Sequence, residues 1–351
     1  MRNTPWALVA LVSLAAASAC VTPGPARGPT VRGVRPIVIA HRGASGHRPE
    51  HTFAAYALAI DMGADFIEPD LVSTRDSVLV ARHENEIGGT TDVATKYPDR
   101  KTTRTIDGRR VTGWFTEDFT LAELRTLRAT ERLPSRSHAY DGRELVPTLD
   151  EILDLVVRRS AETGRRIGVY PETKHSSYFR SIGRPLEEPL LAALARRGWT
   201  TRDAPVFIQS FEVENLRALR ARTGVRLVQL VAAEGAPPDE RVSTDVPATY
   251  AAMITPAGLA SIARYANAIG VEKSLVQPID SAGRRGTPTS LVADAHRAGL
   301  AVHVWTMRSD DAFLPKGYAG DAAAEWRLFR SLGVDGIFGD FPEVGVAALG
   351  R

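Results

Sequence analysis

From residue 35 onward the chain keeps one rhythm: a short apolar, β-rich run, a polar turn, a stretch with helical apolar spacing, and then the next run. The runs predict strands over 37–40, 66–70, 78–83, 167–171, 206–209, 227–231, 268–271, 301–305 and 336–338. Helical patterns lie between them, over 52–62, 148–159, 189–197, 212–223, 256–266, 289–298 and 322–332. Strands that read as unbroken apolar runs are buried on both faces, and helices between them imply parallel crossovers. About eight such units predict a closed (β/α)8 barrel, a TIM barrel, rather than an open doubly wound sheet. Gly63, Gly164, Gly198, Gly224, Gly299 and Gly333 stand where helix C-caps want glycine, and Thr52 and Thr289 where N-caps want a hydroxyl. Residues 84–146 break the rhythm. They are polar and rich in Gly, Pro, Thr and Arg, with a helical pattern at 120–127, and predict an insertion capping the barrel mouth after the second strand's hairpin.

The first residues follow different rules. Arg2 precedes an apolar run that closes in Ala17-Ser18-Ala19-Cys20. A basic start, an apolar centre and small residues before a cut predict a secretory signal over 1–19. That run is short of the ~20 residues a membrane span needs. Cys20 is the only cysteine among 351 residues, so no internal disulfide can form. Placed just after the cut, it resembles the lipid-accepting cysteine of bacterial lipoproteins; plain secretion with a free thiol is the other reading. Residues 20–35, Pro- and Gly-rich, read as a flexible tether, leaving 36–351 as the barrel domain. The predicted location is outside the cytoplasm, in the periplasm, with membrane contact only through a lipid on Cys20. Lys and Arg total 44 and Asp and Glu 41, interleaved without a basic stripe, which argues against a nucleic-acid partner.

Function in such a barrel sits at the C-terminal ends of the strands. Those ends carry His41-Arg42, Glu68-Pro69-Asp70, His83-Glu84, Pro171-Glu172-Thr173-Lys174, Gln209, Trp305 and Asp340. Residues i and i+2 of a strand face the same way, so Glu68 and Asp70 enter one space. Two carboxylates there repel unless one is protonated or a cation lies between them. An ion pair with Arg or Lys is the structural alternative for a lone Glu-x-Asp, but Glu172 brings a third oxygen donor. An all-carboxylate set suits a hard divalent cation, Ca²⁺ or Mg²⁺, rather than Zn²⁺. With the metal role filled, His41 and His83 read as a general acid and base. Arg42 and Lys174 beside metal and carboxylates imply an anionic ligand, and planar Arg suits phosphate. The loop Gly43-Ala44-Ser45-Gly46 offers backbone N–H groups and close approach, though such a sequence is usually only a turn. His47 and His51 could shape the site but read rather as surface residues, His138, His175 and His296 as solvated or loop residues, and His303 as packing.

The stretches "HRGASGHRPEHT", "ADFIEPDLVSTRDSVLVARHE", "IGVYPETKH", "FIQSF" and "GVDGIFGDFP" together resemble the glycerophosphodiester phosphodiesterase family, above all its periplasmic bacterial members. The insertion fits too, through "GGTTDVATKYPDRK" and "FTEDFTLAELRTLRATE". The resemblance implies a capped (β/α)8 barrel, one divalent cation (often Ca²⁺) and a small glycerophosphodiester as substrate. Residue by residue, it implies Glu68, Asp70 and Glu172 as metal ligands, His41 and His83 as the acid/base pair, and Arg42 and Lys174 at the phosphate. It also implies Glu50 as support in the Pro-Glu-x-Thr turn; Gln209 and Trp305 complete the expected substrate-facing set. Where relatives often show His-Asp, this chain has His83-Glu84. A lysophospholipase D or sphingomyelinase D-like barrel and a non-catalytic surface lipoprotein are the competing readings.

Overall fold

The computed structural model describes Met1, residues 35–239 and residues 249–350. The expected signal over 1–19 and the tether over 20–35 therefore lie, but for Met1 and Arg35, outside the described residues.

In chain order the strands are β1 Ile37–His41, β2 Phe66–Glu68, β3 Asp70–Ser73, β4 Leu79–Ala81, β5 Thr102–Ile106, β6 Arg109–Gly113 and β7 Gly168–Val169. They continue as β8 Glu172–Thr173, β9 Phe207–Ser210, β10 Arg226–Val231, β11 Ala268–Glu272, β12 Ala301–Met307 and β13 Gly336–Gly339. Parallel pairing runs β8-β9-β10-β11-β12-β13-β1-β2-β7, with β3 beside β8. β2 and β3 are halves of one barrel strand cut at Pro69, and β7 and β8 are halves of its neighbour cut at Tyr170-Pro171. Proline has no N–H to give the ladder, so the pairing breaks there while the strand continues. Across the cut, Tyr170 N–H donates to Ile67 O and Glu172 N–H to Pro69 O, both at 2.9 Å. The ring of eight parallel strands thus closes, as the rhythm of the sequence predicts.

Alternation along the strands sorts the core into two layers. Val38, Ile67, Val169, Ile208, Leu227, Val302 and Ile337 face the surrounding helices. Ile39, Phe66, Tyr170, Phe207, Val228, Ala268 and Phe338 fill the barrel axis. Inside that plug the Tyr170 and Phe207 rings stack with centroids 5.0 Å apart, and Tyr170 shares a 2.6 Å hydrogen bond with His303. His303 is packing, as expected. The plug seals the barrel below the mouth, so polar strand ends above it face a pocket with an apolar floor.

The N-cap at Thr52 is present; its hydroxyl accepts from Ala55 N–H and sets the first helix, Phe53–Asp61. Two expected caps differ. Ser290, not Thr289, holds the N-cap position of Leu291–Arg297, and it makes no side-chain cap bond; its hydroxyl donates to Asp294 and that of Thr289 to Leu275 O. Gly224 is absent from the positive-φ glycines that include the other five predicted C-caps; a Cβ there would stand 3.0 Å from Thr200 O, so close approach is its reason. Within 84–146 lie the hairpin β5–β6 and a short helix, Leu121–Leu124, closed by a Thr120–Glu123 capping box. No helix among the described residues is long and apolar enough to cross a membrane.

Candidate active site

The register of the barrel sets the predicted polar residues at one level. His41 lies beside Glu68, Asp70 beside Glu172, and Glu172 beside Gln209 on successive strands. With β4 and the capping segment they line a cavity of ≈ 510 Å³. Its wall includes His41, Arg42, Glu50, Glu68, Asp70, His83, Glu172, Lys174, Gln209 and Trp305, while Asp340 and the loop Gly43–Gly46 are not part of it.

Glu68, Asp70 and Glu172 are buried, and one oxygen from each lies within 4.8 Å of the others. Burial and the neighbouring carboxylates push Glu68 well above the usual range and Glu172 up to about 8. Burial also works against Asp70, but the hydrogen bond from His51 and the charge of Lys174 hold it well below the usual range. Asp70 Oδ1 and Gln209 Oε1 are buried without a hydrogen-bond partner. Three crowded carboxylates and two orphaned acceptors in one place fit a hard divalent cation.

Cations frame this trio. Arg42 gives its backbone N–H to Glu68 at 2.9 Å and its guanidinium to Glu50 at 2.9 Å, with Nε 3.4 Å from Asp70. Arg42 holds φ +61°, a left-handed conformation unusual for a side chain this large. Gly43 follows at φ +86°, and a Cβ there would meet Ala55 C at 2.7 Å. The small-residue loop therefore exists to let β1 turn hard against the first helix. Its N–H groups are engaged internally: Gly43 with Ala40, Ala44 with Ala55 and Gly46 with Asp340. The loop is thus the turn that such a sequence usually makes. Lys174 Nζ sits 3.0 Å from Glu172 and 3.5 Å from His83 Nε2. Trp305 donates its indole N–H to Gly270 O at 2.9 Å and packs edge-on against Phe211, making an apolar wall.

Both nominated imidazoles are oriented by carboxylates. Asp340, whose acidity His41, Arg136 and Arg308 strengthen despite burial, can only accept, so His41 Nδ1 donates across 2.6 Å. That leaves Nε2 for a ligand. Burial, then the charge of Arg42, lowers His41 to about 4. His83 Nδ1 lies 3.0 Å from Glu84, and burial with Arg42 and Lys174 lowers it to about 3. Burial and the adjoining cations thus favour the uncharged form of both rings. Glu84, which stands where relatives often show aspartate, is the carboxylate beside His83.

Several contributors escaped the sequence reading. His51, expected at the surface, is fully buried; Nε2 donates to Asp70 at 2.9 Å while Nδ1 accepts from Tyr56 at 2.8 Å. His175 is a clamp between Asp107 and Glu84 rather than a solvated ring. His47 is partly covered and pairs with Glu343, His138 is exposed beside Asp141, and His296 pairs with Asp335. Arg132 and Arg136, both from the insertion, reach Glu50 and Asp340 at 2.8 and 2.6 Å. Their only sequence signal was membership of the capping segment.

A closed parallel barrel whose C-terminal mouth joins a carboxylate trio to two oriented imidazoles and buried cations defines a hydrolase of charged esters. The chain matches the model of the glycerophosphoryl diester phosphodiesterase family over residues 41–344, and it belongs to that family; it is a phosphoric diester hydrolase. It is 36% identical to a glycerophosphodiester phosphodiesterase of Arabidopsis thaliana, over 88% of this chain and 84% of that one. A glycerophosphodiester phosphodiesterase of Haemophilus influenzae is 29% identical over 89% of each chain. The fold is similar to that of an Oleispira antarctica phosphodiesterase solved with its product sn-glycerol-3-phosphate, with a TM-score of 0.60, 21% identity, and coverage of 90% of this chain and 98% of that one.

Proposed function

We propose that the protein hydrolyses glycerophosphodiesters such as glycerophosphocholine and glycerophosphoethanolamine to sn-glycerol 3-phosphate and a free alcohol. His41 and His83 are the acid/base pair, and one divalent cation, Ca²⁺ ahead of Mg²⁺, is held by Glu68, Asp70 and Glu172. The observation that carries this reading is the lining of one cavity by all five residues.

When bound, the cation supplies positive charge to the phosphoryl oxygens. Arg42 and Lys174 add fixed charge on the same side, where charge builds as the phosphorus gains a bond. One imidazole takes the proton of the substrate's glycerol 2-hydroxyl as that oxygen bonds to phosphorus. The other protonates the departing alkoxide as its bond to phosphorus breaks. The cyclic phosphate then opens when water, deprotonated by the second ring, attacks phosphorus and the first ring returns its proton to the glycerol oxygen. The exchange balances with one extra proton on the pair, so one ring takes up a proton when the anionic substrate binds and the other stays neutral to act as base. Glu50 fixes Arg42, Gln209 fixes Glu68 at 3.0 Å, and Trp305 lines the cavity wall.

The test is release of glycerol 3-phosphate from glycerophosphocholine by metal-reconstituted protein, with lysophosphatidylcholine and sphingomyelin alongside. Turnover of the deacylated substrate that stops in EDTA and returns with Ca²⁺ is expected. Activity that survives both EDTA and His41→Ala would overturn the proposal. The leader and Cys20 support export and lipid anchoring in the periplasm. Incorporation of labelled palmitate, lost in Cys20→Ala, checks that reading.

A further inference from the structure

Arg136 belongs to the capping insertion, yet its side chain is only 5% exposed. It reaches across the mouth to three partners. Nε and Nη2 form a two-pronged pair with Asp310 at 3.0 and 2.8 Å. Nη1 donates to Ser45 O at 3.0 Å, and Nη2 also donates to Asp340 Oδ2 at 2.6 Å. Asp340 Oδ1 is the atom that receives the His41 Nδ1 proton. The Ser45 hydroxyl in turn donates to His41 O at 2.8 Å. One guanidinium therefore grips both the carboxylate that orients His41 and the loop that follows it. Arg308 Nε, 3.1 Å from Asp340 Oδ2, comes from the end of β12 and belongs to the barrel. Arg136 is the cap's own contribution.

We propose that Arg136 is a positioning residue for His41, so that seating of the cap and alignment of the imidazole are one event. Without Arg136, Asp340 keeps a single Arg partner and can rotate about its side-chain bond. The His41 ring, lacking a fixed acceptor, then samples the tautomer that puts hydrogen on Nε2, where the lone pair is needed. A planar two-pronged guanidinium does this where an ammonium cannot, because one flat group must satisfy two carboxylates and a carbonyl in fixed directions. This rests on the acid/base reading given above.

The experiment is a double-mutant cycle on glycerophosphocholine at saturating Ca²⁺, with folding checked by thermal melts. Outer partners of a site imidazole typically contribute 10–100-fold, so Arg136→Gln is expected to lower kcat by ~10-fold or more with little change in KM. Asp340→Asn is expected to cost more, and Arg136→Gln added to Asp340→Asn almost nothing further, because the first acts through the second. Arg136→Lys is expected to stay impaired, and free guanidinium to restore part of the Arg136→Ala rate. Losses that multiply in the double variant, or an Arg136→Gln kcat within about two-fold of the wild type, overturn the proposal. Should Arg136→Gln not fold, Asp310→Asn, which frees the other prong, carries the same expectation at smaller size. ¹⁵N spectra of the histidines separate this idea from the functional reading. Wild-type His41 is expected as the Nδ1–H tautomer and the Arg136 variant as a mixture, whether or not glycerophosphocholine is turned over. An unchanged tautomer sinks the positioning role alone.

Discussion

His41 closes β1 inside the barrel and His83 follows β4 outside the closed ring, yet each turns Nδ1 toward a carboxylate, at 2.6 and 3.0 Å. Their surroundings differ. The His41 side chain is 12% exposed and Asp340 3%, while His83 is 35% exposed and Glu84 47%. Asp340 directly follows β13, the barrel neighbour of β1, and two guanidiniums hold it. Glu84 sits in a loop and is shared with His175. The same pair of groups is thus built once from the barrel wall and once from loops. The first is a buried contact clamped by one arginine of the barrel and one of the cap, and the second is a half-exposed contact between loop residues.

The comparison breaks first, if it breaks, at the rings themselves. His41→Ala and His83→Ala are each expected to lower kcat by ~10²–10⁴ under saturating Ca²⁺. Near-normal turnover in either variant would leave a single-imidazole mechanism. The orienting carboxylates come next and are expected to differ. Asp340→Asn removes a buried, doubly clamped anion and should cost ~10²-fold in kcat, because a neutral amide can favour the wrong tautomer. Glu84→Gln removes a half-exposed partner, and such pairs contribute up to about 1 kcal/mol, a loss of less than about five-fold. Steady-state kinetics on the two variants sharpen the contrast; equal losses would show that exposure does not govern these contacts.

What the sequence displays about this site follows from periodicity, and what it hides follows from distance. Glu68 and Asp70 can be placed together because a strand repeats every two residues, and Pro69 predicts the break seen there. Glu172 and Gln209 are legible because strand ends of a closed barrel converge on one rim. Arg136 lies 204 residues from Asp340, and no local pattern encodes that meeting. His51 and His175 were misread for another reason. Both hold left-handed backbone, φ +56° and +50°, which turns their rings inward from segments that read as solvated loop. Neither is a glycine or asparagine, the residues that advertise that conformation.

The smallest expected effect lies with His175, where the insertion meets the His83 station. Its Nδ1 faces Asp107, at the turn of the β5–β6 hairpin, at 2.7 Å, and its Nε2 faces Glu84 at 2.9 Å. Burial works against the charged ring, but the hydrogen bonds and charges of these two carboxylates win and raise it from 6.5 to about 9. A folded pKa above the unfolded one stabilises the protein fully below the unfolded value. That stabilisation then fades as pH rises through the folded value. The clamp should therefore stabilise the hairpin in full below pH 6.5 and lose its grip through about pH 9. Solvent around Glu84 keeps the effect modest, on the order of 1–2 kcal/mol. Melting His175→Gln beside the wild type should show a gap of a few degrees at pH 6 that closes by pH 10. Over the same range the wild-type β5–β6 hairpin should become open to protease. A gap that stays constant would mean that the ring holds the hairpin by shape, not charge, and the loop-built station would then be as insensitive to pH as the buried one.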